Sequence, residues 1–301
     1  MSLSLEEAVE LAHAWVQAMA DSVGARTLLI KGPALFAQSL RASRVSSDVD
    51  VLVHPADFEE MCAALHSRGW RERPAPFISS YTSTHSRTYI HERWPCDIDL
   101  HRFYPGFLAD PVTTFETLWT RRVQMWFAHH QCTAADRLGN LMVLALHSLR
   151  GQSKQGRYVS EARALASASL TEGERDDLKG LAIATGSTAT LESVLADLGV
   201  EVEASDAELT SRELREWHER VDVGAYGSYF WLWLLRRSGW RNRAEILWRA
   251  VWPSDDDMRL ARADFGSGPR SLNRERFRRW SRGVVTVPRA ALTIWRHRRS
   301  P

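Results

Sequence analysis

The sequence predicts an α+β protein: a mixed sheet with flanking helices, followed by an all-helical C-terminal region. Three observations support this class. Short apolar segments alternate with helical periodicity in the first seventy residues, extended segments continue to about residue 110, and helical spacing dominates after Pro111. The apolar fraction of 44% in 301 residues is typical of a globular protein with a substantial core.

The first seventy residues predict elements in the order αβαβα. Ser4 is a candidate N-cap for the first helix, Pro33 is tolerated in the first turn of the second, and Gly69 ends the third. The elements are a helix at 4–20, a strand within 23–30, a helix at 33–40, a strand at 48–53 and a helix at 57–66.

Short extended segments separated by prolines and polar residues follow, which predicts antiparallel strands that complete the sheet. The last segment alternates Asp97, Asp99 and His101 with apolar residues, as expected for a strand with one dry and one wet face. The predicted strands lie at 70–73, 77–82, 88–91 and 96–103.

Helical periodicity replaces the extended pattern near residues 110–135, which predicts one domain at 1–120 and a helical domain at 121–301. Aromatic residues between 211 and 252 have spacings consistent with buried helices. The predicted helices lie at 136–149, 158–168, 172–184 and 188–198.

Charge is distributed unevenly. The formal net charge is +2, but residues 270–301 contain ten arginines and one acid, Glu275. This basic tail is compatible with RNA, an acidic membrane surface or an acidic partner, and equally with a solubilising helix. Lysine occurs only at positions 31, 154 and 179, which draws attention to Lys31 beside a Gly-Pro turn.

The three cysteines are widely spaced and contain no C-x-x-C pair, so neither a disulfide framework nor a zinc site is indicated. The N-terminal segment is acidic and helical in pattern, and no apolar stretch reaches the length of a membrane span. We therefore expect a cytoplasmic protein without a targeting signal or transmembrane segment. The oligomeric state does not follow from the sequence.

Paired acidic residues are the clearest candidates for chemistry. Asp48 and Asp50 lie two apart in a predicted strand and so share one face, and Asp97 and Asp99 repeat the pattern. Two such strands side by side would gather carboxylates that suit a hard cation such as Mg²⁺. Asp-x-Asp alone is weak evidence, because two solvated acids at a strand start explain it equally well.

Three motifs together resemble an uncharacterised bacterial nucleotidyltransferase-like family of the DNA polymerase β nucleotidyltransferase superfamily. They are Ile30-Lys31-Gly32-Pro33 followed by a helix, Arg44-x-x-Ser47-Asp48-Val49-Asp50, and Asp97-Ile98-Asp99-Leu100-His101. Weaker resemblance continues through 136–150 and through Trp252-Pro253-Ser254 into the basic tail. The superfamily turn is usually Gly-Ser or Gly-Gly, so Gly32-Pro33 lacks a serine hydroxyl for the phosphates.

The resemblance implies roles for eight residues. Asp48, Asp50 and Asp99 would be the catalytic metal ligands, and Asp99 would also accept the proton of the acceptor. Asp97, on the same face, is the competing residue. The nucleotide-binding set would comprise Lys31, Gly32, Arg44, Ser47 and His101. For Lys31, Arg44 and His101 the alternatives are a solvated strand end, an ordinary loop arginine and a structural histidine.

The implied activity is Mg²⁺-dependent transfer of a nucleoside monophosphate from a triphosphate such as ATP, with a two-ion site and release of pyrophosphate. A small molecule or a peptide intermediate of natural-product biosynthesis is the favoured acceptor, through a hydroxyl or phosphate. The alternatives are an RNA-modifying toxin, a non-catalytic module that binds nucleotide or recruits a partner, and glycosyl transfer from a nucleotide-sugar. Rossmann, P-loop and hydrolase motifs are absent from the sequence.

Overall fold

Seven strands form one mixed sheet in the computed structural model, which describes residues 3–82, 85–150, 165, 169–223, 227–261 and 269–297. The strands are β1 (Thr27–Ile30), β2 (Asp48–Val53), β3 (Arg71–Glu72), β4 (Ser86–Ile90), β5 (Asp97–His101), β6 (Val123–Phe127) and β7 (His130–Ala134). Their order across the sheet is β3-β4-β5-β2-β1-β7-β6. The predicted class, a mixed sheet with flanking helices and a helical C-terminal region, is confirmed.

Strand β2 occupies the middle of the sheet. It pairs antiparallel with β1 and parallel with β5, while β7 pairs parallel with the other edge of β1. Every residue of β1 and all but the first of β2 are buried, Asp50 among them.

The helices cover the sheet and form the C-terminal region. Those of the described residues are α1 (Leu5–Val23), α2 (Gly32–Ala37), α3 (Phe58–Ser67), α4 (Phe77–Thr82), α5 (Pro111–Thr120), α6 (Arg137–Arg150), α7 (Glu172–Ala184), α8 (Glu192–Asp197), α9 (Asp206–Leu209), α10 (Arg212–Val223), α11 (Gly227–Arg237), α12 (Trp240–Val251), α13 (Asp255–Ala261) and α14 (Pro269–His297). No helix in this part of the chain is both long and apolar enough to cross a bilayer.

Helix α1 begins with the predicted cap. The Ser4 hydroxyl accepts from the Glu7 backbone N–H, and the Glu7 carboxylate accepts from the Ser4 N–H, a reciprocal pair that stabilises a helix start by about 1 kcal/mol. Its apolar face, represented by Ala12 and Val16, belongs to the same buried cluster as Val51 of the sheet. One buried apolar cluster of the first unit is therefore formed by α1 and the sheet together.

The described residues fall into two compact units. The first lies within Met1–Arg73 and His85–Trp217, and the second within Pro74–Thr84 and His218–Pro301. The predicted domain limits of 1–120 and 121–301 stay a prediction.

Residues 77–82, predicted as a strand, form helix α4, so that prediction is wrong. The Phe77 backbone N–H donates to Asp257 Oδ1 at 2.7 Å, and the Arg249 guanidinium lies over the Phe77 ring. The β-branched and aromatic side chains of this segment favour a strand locally. The carboxylate that caps the helix lies 180 residues away in sequence, so local propensity cannot account for it.

The hairpin of β6 and β7 lies in a segment for which the sequence predicts no strand. Its turn places Ala128 and His129 at φ values of 43° and 62°. Such turns usually carry Asn-Gly or Asp-Gly, and this turn has Ala128-His129 instead. The local sequence therefore does not indicate a hairpin here. The predicted helix at 158–168 lies almost wholly outside the described residues.

The aromatic-rich segment is helical as predicted, but it is not uniformly buried. Trp217 and Tyr229 lie in the interior, whereas Trp240 and Trp248 are 76% and 64% exposed. The expectation of buried helices is therefore wrong for α12, whose apolar residues line its exposed side.

Candidate active site

The register of β2 and β5 brings acidic residues of the two strands together. These parallel strands pair Asp48 with Asp97 and Asp50 with Asp99. His101 lies two residues beyond Asp99 and so shares its face. Among the described residues, Asp50, Asp99 and His101 each place one possible ligand atom within 4.8 Å of the others. This cluster is where the chain could hold a cation.

Asp50 lies at the centre of the cluster and is only 4% exposed. Its Oδ1 accepts from Lys31 Nζ at 2.6 Å and lies 2.8 Å from His101 Nε2. Burial acts to raise the pKa of Asp50, but the Lys31 ammonium and the His101 imidazole hold that pKa well below its usual range. Asp50 is therefore ionised at neutral pH.

Lys31 carries the matching positive charge. Burial acts to lower the pKa of Lys31, but the attraction of the Asp50 carboxylate is larger than this effect of burial. The pKa of Lys31 therefore lies above its usual range. Removing either partner of such a buried pair leaves an uncompensated charge. The lysine of the predicted turn thus stabilises the acid on the neighbouring strand.

Asp99 has a carboxylate oxygen that accepts no hydrogen bond from the described residues. Its Oδ1 is buried and has no hydrogen-bond partner among the described residues. Burial and then the charge of Asp50 raise the pKa of Asp99. An unpartnered buried acceptor is costly, and a cation bound beside Asp50 would supply the missing partner. The carboxylate oxygens of Asp50 and Asp99 suit Mg²⁺, so the residues present fit such an ion.

Asp48 occupies the start of β2 and is half-buried. Burial and the charge of Asp50 raise its pKa to about 6. Its carboxylate is outside the group of ligand atoms within 4.8 Å of one another. The structure thus joins two of the three predicted metal ligands and adds His101, whereas the metal role of Asp48 stays a prediction.

Asp97 is directed to a different partner. Its carboxylate forms an ion pair with Arg73, and its backbone N–H donates to the Ser47 carbonyl. Arg73 and Asp97 are both substantially exposed, so this pair contributes little to stability. The contact supports the preference for Asp99 as the third carboxylate.

The turn after β1 has an unusual backbone. Lys31 has a φ of 59° and Gly32 a φ of 53°. The Lys31 N–H donates to the Asn140 side-chain oxygen at 2.9 Å, and Arg41 donates to the Gly32 carbonyl at 2.9 Å. A Cβ atom on Gly32 would lie 3.3 Å from His13 Nε2, so both conformation and space favour glycine here.

The remaining predicted nucleotide-binding residues lie in the loop before β2. Arg44 and Ser47 are exposed there, and Ser47 immediately precedes Asp48. Both side chains are in contact with solvent. Their assignment to nucleotide binding stays a prediction.

Two residues of the site have no counterpart in the sequence prediction. Asn140 in α6 holds the Lys31 backbone, and Tyr104 lies beneath the lysine with its ring centroid 5.9 Å from Lys31 Nζ. Tyr104 is also close to His101, with ring centroids 5.5 Å apart. Neither residue lies in one of the three motifs, so only the fold reveals them.

Comparisons with known proteins agree with this geometry at the level of family. The profile of a family described as uncharacterised nucleotidyltransferase matches residues 18–198. None of the curated proteins compared matches the chain. The matched region spans more than half of the sequence, and the chain therefore belongs to this nucleotidyltransferase family. It is an enzyme of the nucleotidyl-transferring class, as the motifs predicted.

Solved structures give more distant likenesses. An antigenic nucleotidyltransferase-like protein from Paracoccidioides brasiliensis is 12% identical, with a TM-score of 0.41 over 68% of this chain and 98% of that chain. The lincosamide antibiotic adenylyltransferase LnuA, bound to lincomycin, is 14% identical, with a TM-score of 0.32 over 57% and 94%. A tRNA-processing enzyme in an apo form is 14% identical, with a TM-score of 0.28 over 87% and 80%. All three TM-scores lie below 0.5, and the family assignment depends on the profile match.

Proposed function

We propose that the protein transfers a nucleoside monophosphate from a nucleoside triphosphate to an acceptor, with Mg²⁺ bound by Asp50 and Asp99 and assisted by Asp48. The observation that carries this proposal is the unpartnered Asp99 oxygen beside an ionised Asp50, in a chain of the nucleotidyltransferase family. Bound there, Mg²⁺ would neutralise phosphate charge and orient the reacting oxygens.

The side chains of the site have distinct roles in this proposal. Lys31 holds a positive charge close to the position of the phosphates and keeps Asp50 ionised. His101 donates to Asp50 and fixes the orientation of its carboxylate. Asp99, whose pKa burial raises, is the better proton acceptor, and its carboxylate oxygen that is not bound to the ion would take the proton of the attacking hydroxyl.

Binding of the triphosphate would draw on the turn and the loop. Gly32 brings the backbone close to the phosphates without a side chain, and Arg44 and Ser47 approach from the exposed loop before β2. Arginine suits phosphate because its planar guanidinium donates two parallel hydrogen bonds. Pro33 offers no N–H, so Lys31 and Arg44 would supply contacts that a Gly-Ser turn makes in the wider superfamily.

The acceptor we favour is a small molecule or a peptide intermediate. An RNA acceptor is the second candidate, because ten arginines lie within residues 270–301. The two acceptors can be distinguished with separate pools. The protein is incubated with Mg²⁺, each α-³²P-labelled ribonucleoside triphosphate and either a small-molecule extract or total RNA, and label is followed by chromatography.

Asp97 provides a matched control for Asp99. Both lie on β5 and share its face, but Asp97 pairs with Arg73. We expect Asp99→Asn to lower label transfer by about 100-fold or more and Asp97→Asn to leave it within a few-fold. Equal loss in the two variants, or transfer that persists in Asp99→Asn, would contradict the assigned chemistry.

A further inference from the structure

Helix α12 carries an apolar stripe on its exposed side. Apolar residues recur at the i, i+4, i+7, i+8 and i+11 positions, a spacing that normally faces a core. The stripe comprises Trp240, Ala244, Leu247, Trp248 and Val251, and all five are exposed. The buried side of the helix is instead marked by Ile246, which is 3% exposed.

Helix α14 repeats this arrangement over five turns. Its exposed apolar residues lie at i, i+7, i+8, i+11, i+15 and i+18, which places them along one side of the helix. They are Phe277, Val284, Val285, Pro288, Leu292 and Trp295. Val284 is 76% exposed, although valine is usually buried in folded proteins. Ala290, on another side of the helix, is fully buried.

A groove of about 390 Å³ opens on the surface of the second unit. Its lining comes from α11, α12 and α14: Leu232, Leu235, Arg236, Arg243 and Ala291. Residues three or four apart are neighbours on a helix surface. Arg243 is therefore next to Trp240 and Leu247 on α12. Ala291 is likewise next to Trp295 on α14. Both stripes therefore border the same groove, and we call the stripes and groove together the apolar face of the second unit.

Arginines surround this face. Arg241 lies over the Trp240 ring at 5.4 Å, and Arg236 and Arg243 line the groove itself. On α14, the single acid, Glu275, is buried and already paired with Arg278 and Arg282. The one exposed acid of α12, Glu245, lies 3.7 Å from the Arg249 guanidinium, so the arginines leave the described surroundings of the stripes with a net positive charge.

We propose that the apolar face docks on an anionic lipid bilayer, with its tryptophans and aliphatic side chains at the level of the headgroups and its arginines on the lipid phosphates. Exposed tryptophan, leucine and valine on one side of a helix, flanked by arginine, is the composition of helices that lie in the membrane interface. Anionic headgroups complement the arginines at a bilayer surface.

Charge and chemistry disfavour the other occupants. A second copy of the chain in a symmetric contact would bring two arginine-rich surfaces together, and like charges at an interface are repulsive. Single-stranded RNA would use the arginines and aromatic rings, but it has no need for the stripe of valine and leucine. The bilayer is the occupant that uses both features.

The test is co-sedimentation of the full-length protein with vesicles. Vesicles of phosphatidylcholine alone are compared with vesicles that contain about one third phosphatidylglycerol. We expect the protein to pellet with the anionic vesicles only and less so at high salt. The double variant Trp240→Ser/Trp248→Ser should lower the apparent affinity by about tenfold or more. Asn242→Ser, exposed on the other side of α12, is the matched control and should leave it unchanged.

Val284→Ser/Leu292→Ser tests α14 independently, and circular dichroism checks that each variant folds. Failure of the wild type to pellet with anionic vesicles, equal pelleting with both vesicle types, or pelleting unchanged in both double variants would overturn the proposal. So would RNA binding that the tryptophan substitutions abolish in a protein that ignores vesicles. No nucleotide is present in the assay, so its outcome is independent of the proposed transfer reaction.

Discussion

The side-chain oxygen of Asn140 accepts a hydrogen bond from the backbone N–H of Lys31 at 2.9 Å, across 109 residues of sequence. Asn140 is fully buried, and its amide nitrogen donates to Gln38 Oε1 and to the Ala135 carbonyl. Lys31 adopts a backbone conformation that costs a non-glycine residue about 1–3 kcal/mol. Helix α6 thus holds the strained turn that presents the lysine to Asp50.

Replacing Asn140 tests this positioning role. Asn140→Ala leaves the Lys31 N–H and Gln38 Oε1 short of a partner, whereas the Ala135 carbonyl keeps its bond from Gln38 Nε2, and it should lower the free energy of unfolding by about 2–3 kcal/mol. Urea denaturation measures the loss. Ser148→Ala removes a half-buried hydrogen bond from the same helix and should cost less than about 1 kcal/mol. Equal losses would mean that Asn140 has no special role in stability.

Lys31 combines two properties that substitutions can separate. Lys31→Met removes the ammonium and leaves the buried Asp50 carboxylate with His101 alone, which should cost about 3 kcal/mol. Lys31→Gly removes the same charge but relieves the positive φ, so it should be more stable than Lys31→Met by about 1 kcal/mol. Thermal or urea unfolding compares the pair. A methionine variant as stable as the glycine variant would argue against backbone strain.

Nucleotide binding should be weaker in both lysine variants. Calorimetric titration with Mg²⁺ and ATP is expected to show an affinity at least about tenfold weaker than that of the wild type, because an ammonium that neutralises phosphate charge is missing. Unchanged affinity would remove Lys31 from the proposed binding set, whatever its effect on stability.

The burial of His13 predicts that the stability of the protein depends on pH. It is buried and stacked on Phe127, and burial lowers its pKa to about 4, although its hydrogen bond to the Val9 carbonyl and the charge of Asp50 favour the protonated form. The unfolded chain protonates His13 below about pH 6.5, whereas the folded chain does so only near pH 4. The free energy of unfolding should therefore fall as the pH falls through this window, by about 3 kcal/mol for a residue this deeply buried.

His13→Phe isolates that contribution. Asp48 titrates over part of the same window with the opposite sign, because its pKa is raised, so the quantity to compare is the difference in stability between wild type and variant at each pH. This difference should shift in favour of the variant between pH 7 and pH 4.5. A constant difference would show that folding does not change the pKa of His13 and would contradict the prediction.

The acidic half of the site was predictable because it depends on local periodicity. Asp48 and Asp50 must share a face of any strand that contains them, and so must Asp99 and His101. The family resemblance then joined the two strands, and the observed register places Asp50 opposite Asp99. The fold class followed from the same alternation of apolar segments.

Features that depend on distant contacts were not predictable. Asn140 bonds to the turn across 109 residues of sequence, and Asp257 caps α4 across 180 residues. The contact of His101 Nε2 with Asp50 likewise depends on the pairing of β2 with β5, and the assignment of His101 to nucleotide binding stays a prediction. The exposure of the α12 stripe was not predictable either, because its sequence has the periodicity of a helix that packs on a core.

The pairing of β7 with β1 has a consequence for any shortened form of the chain. A fragment that ends before β6 would lose both strands of the hairpin and leave one edge of β1 without hydrogen-bond partners. All four residues of β1, Thr27–Ile30, are buried in the intact sheet, and an uncovered apolar edge recruits strands from other molecules. The hairpin that the sequence concealed thus protects the catalytic sheet from aggregation.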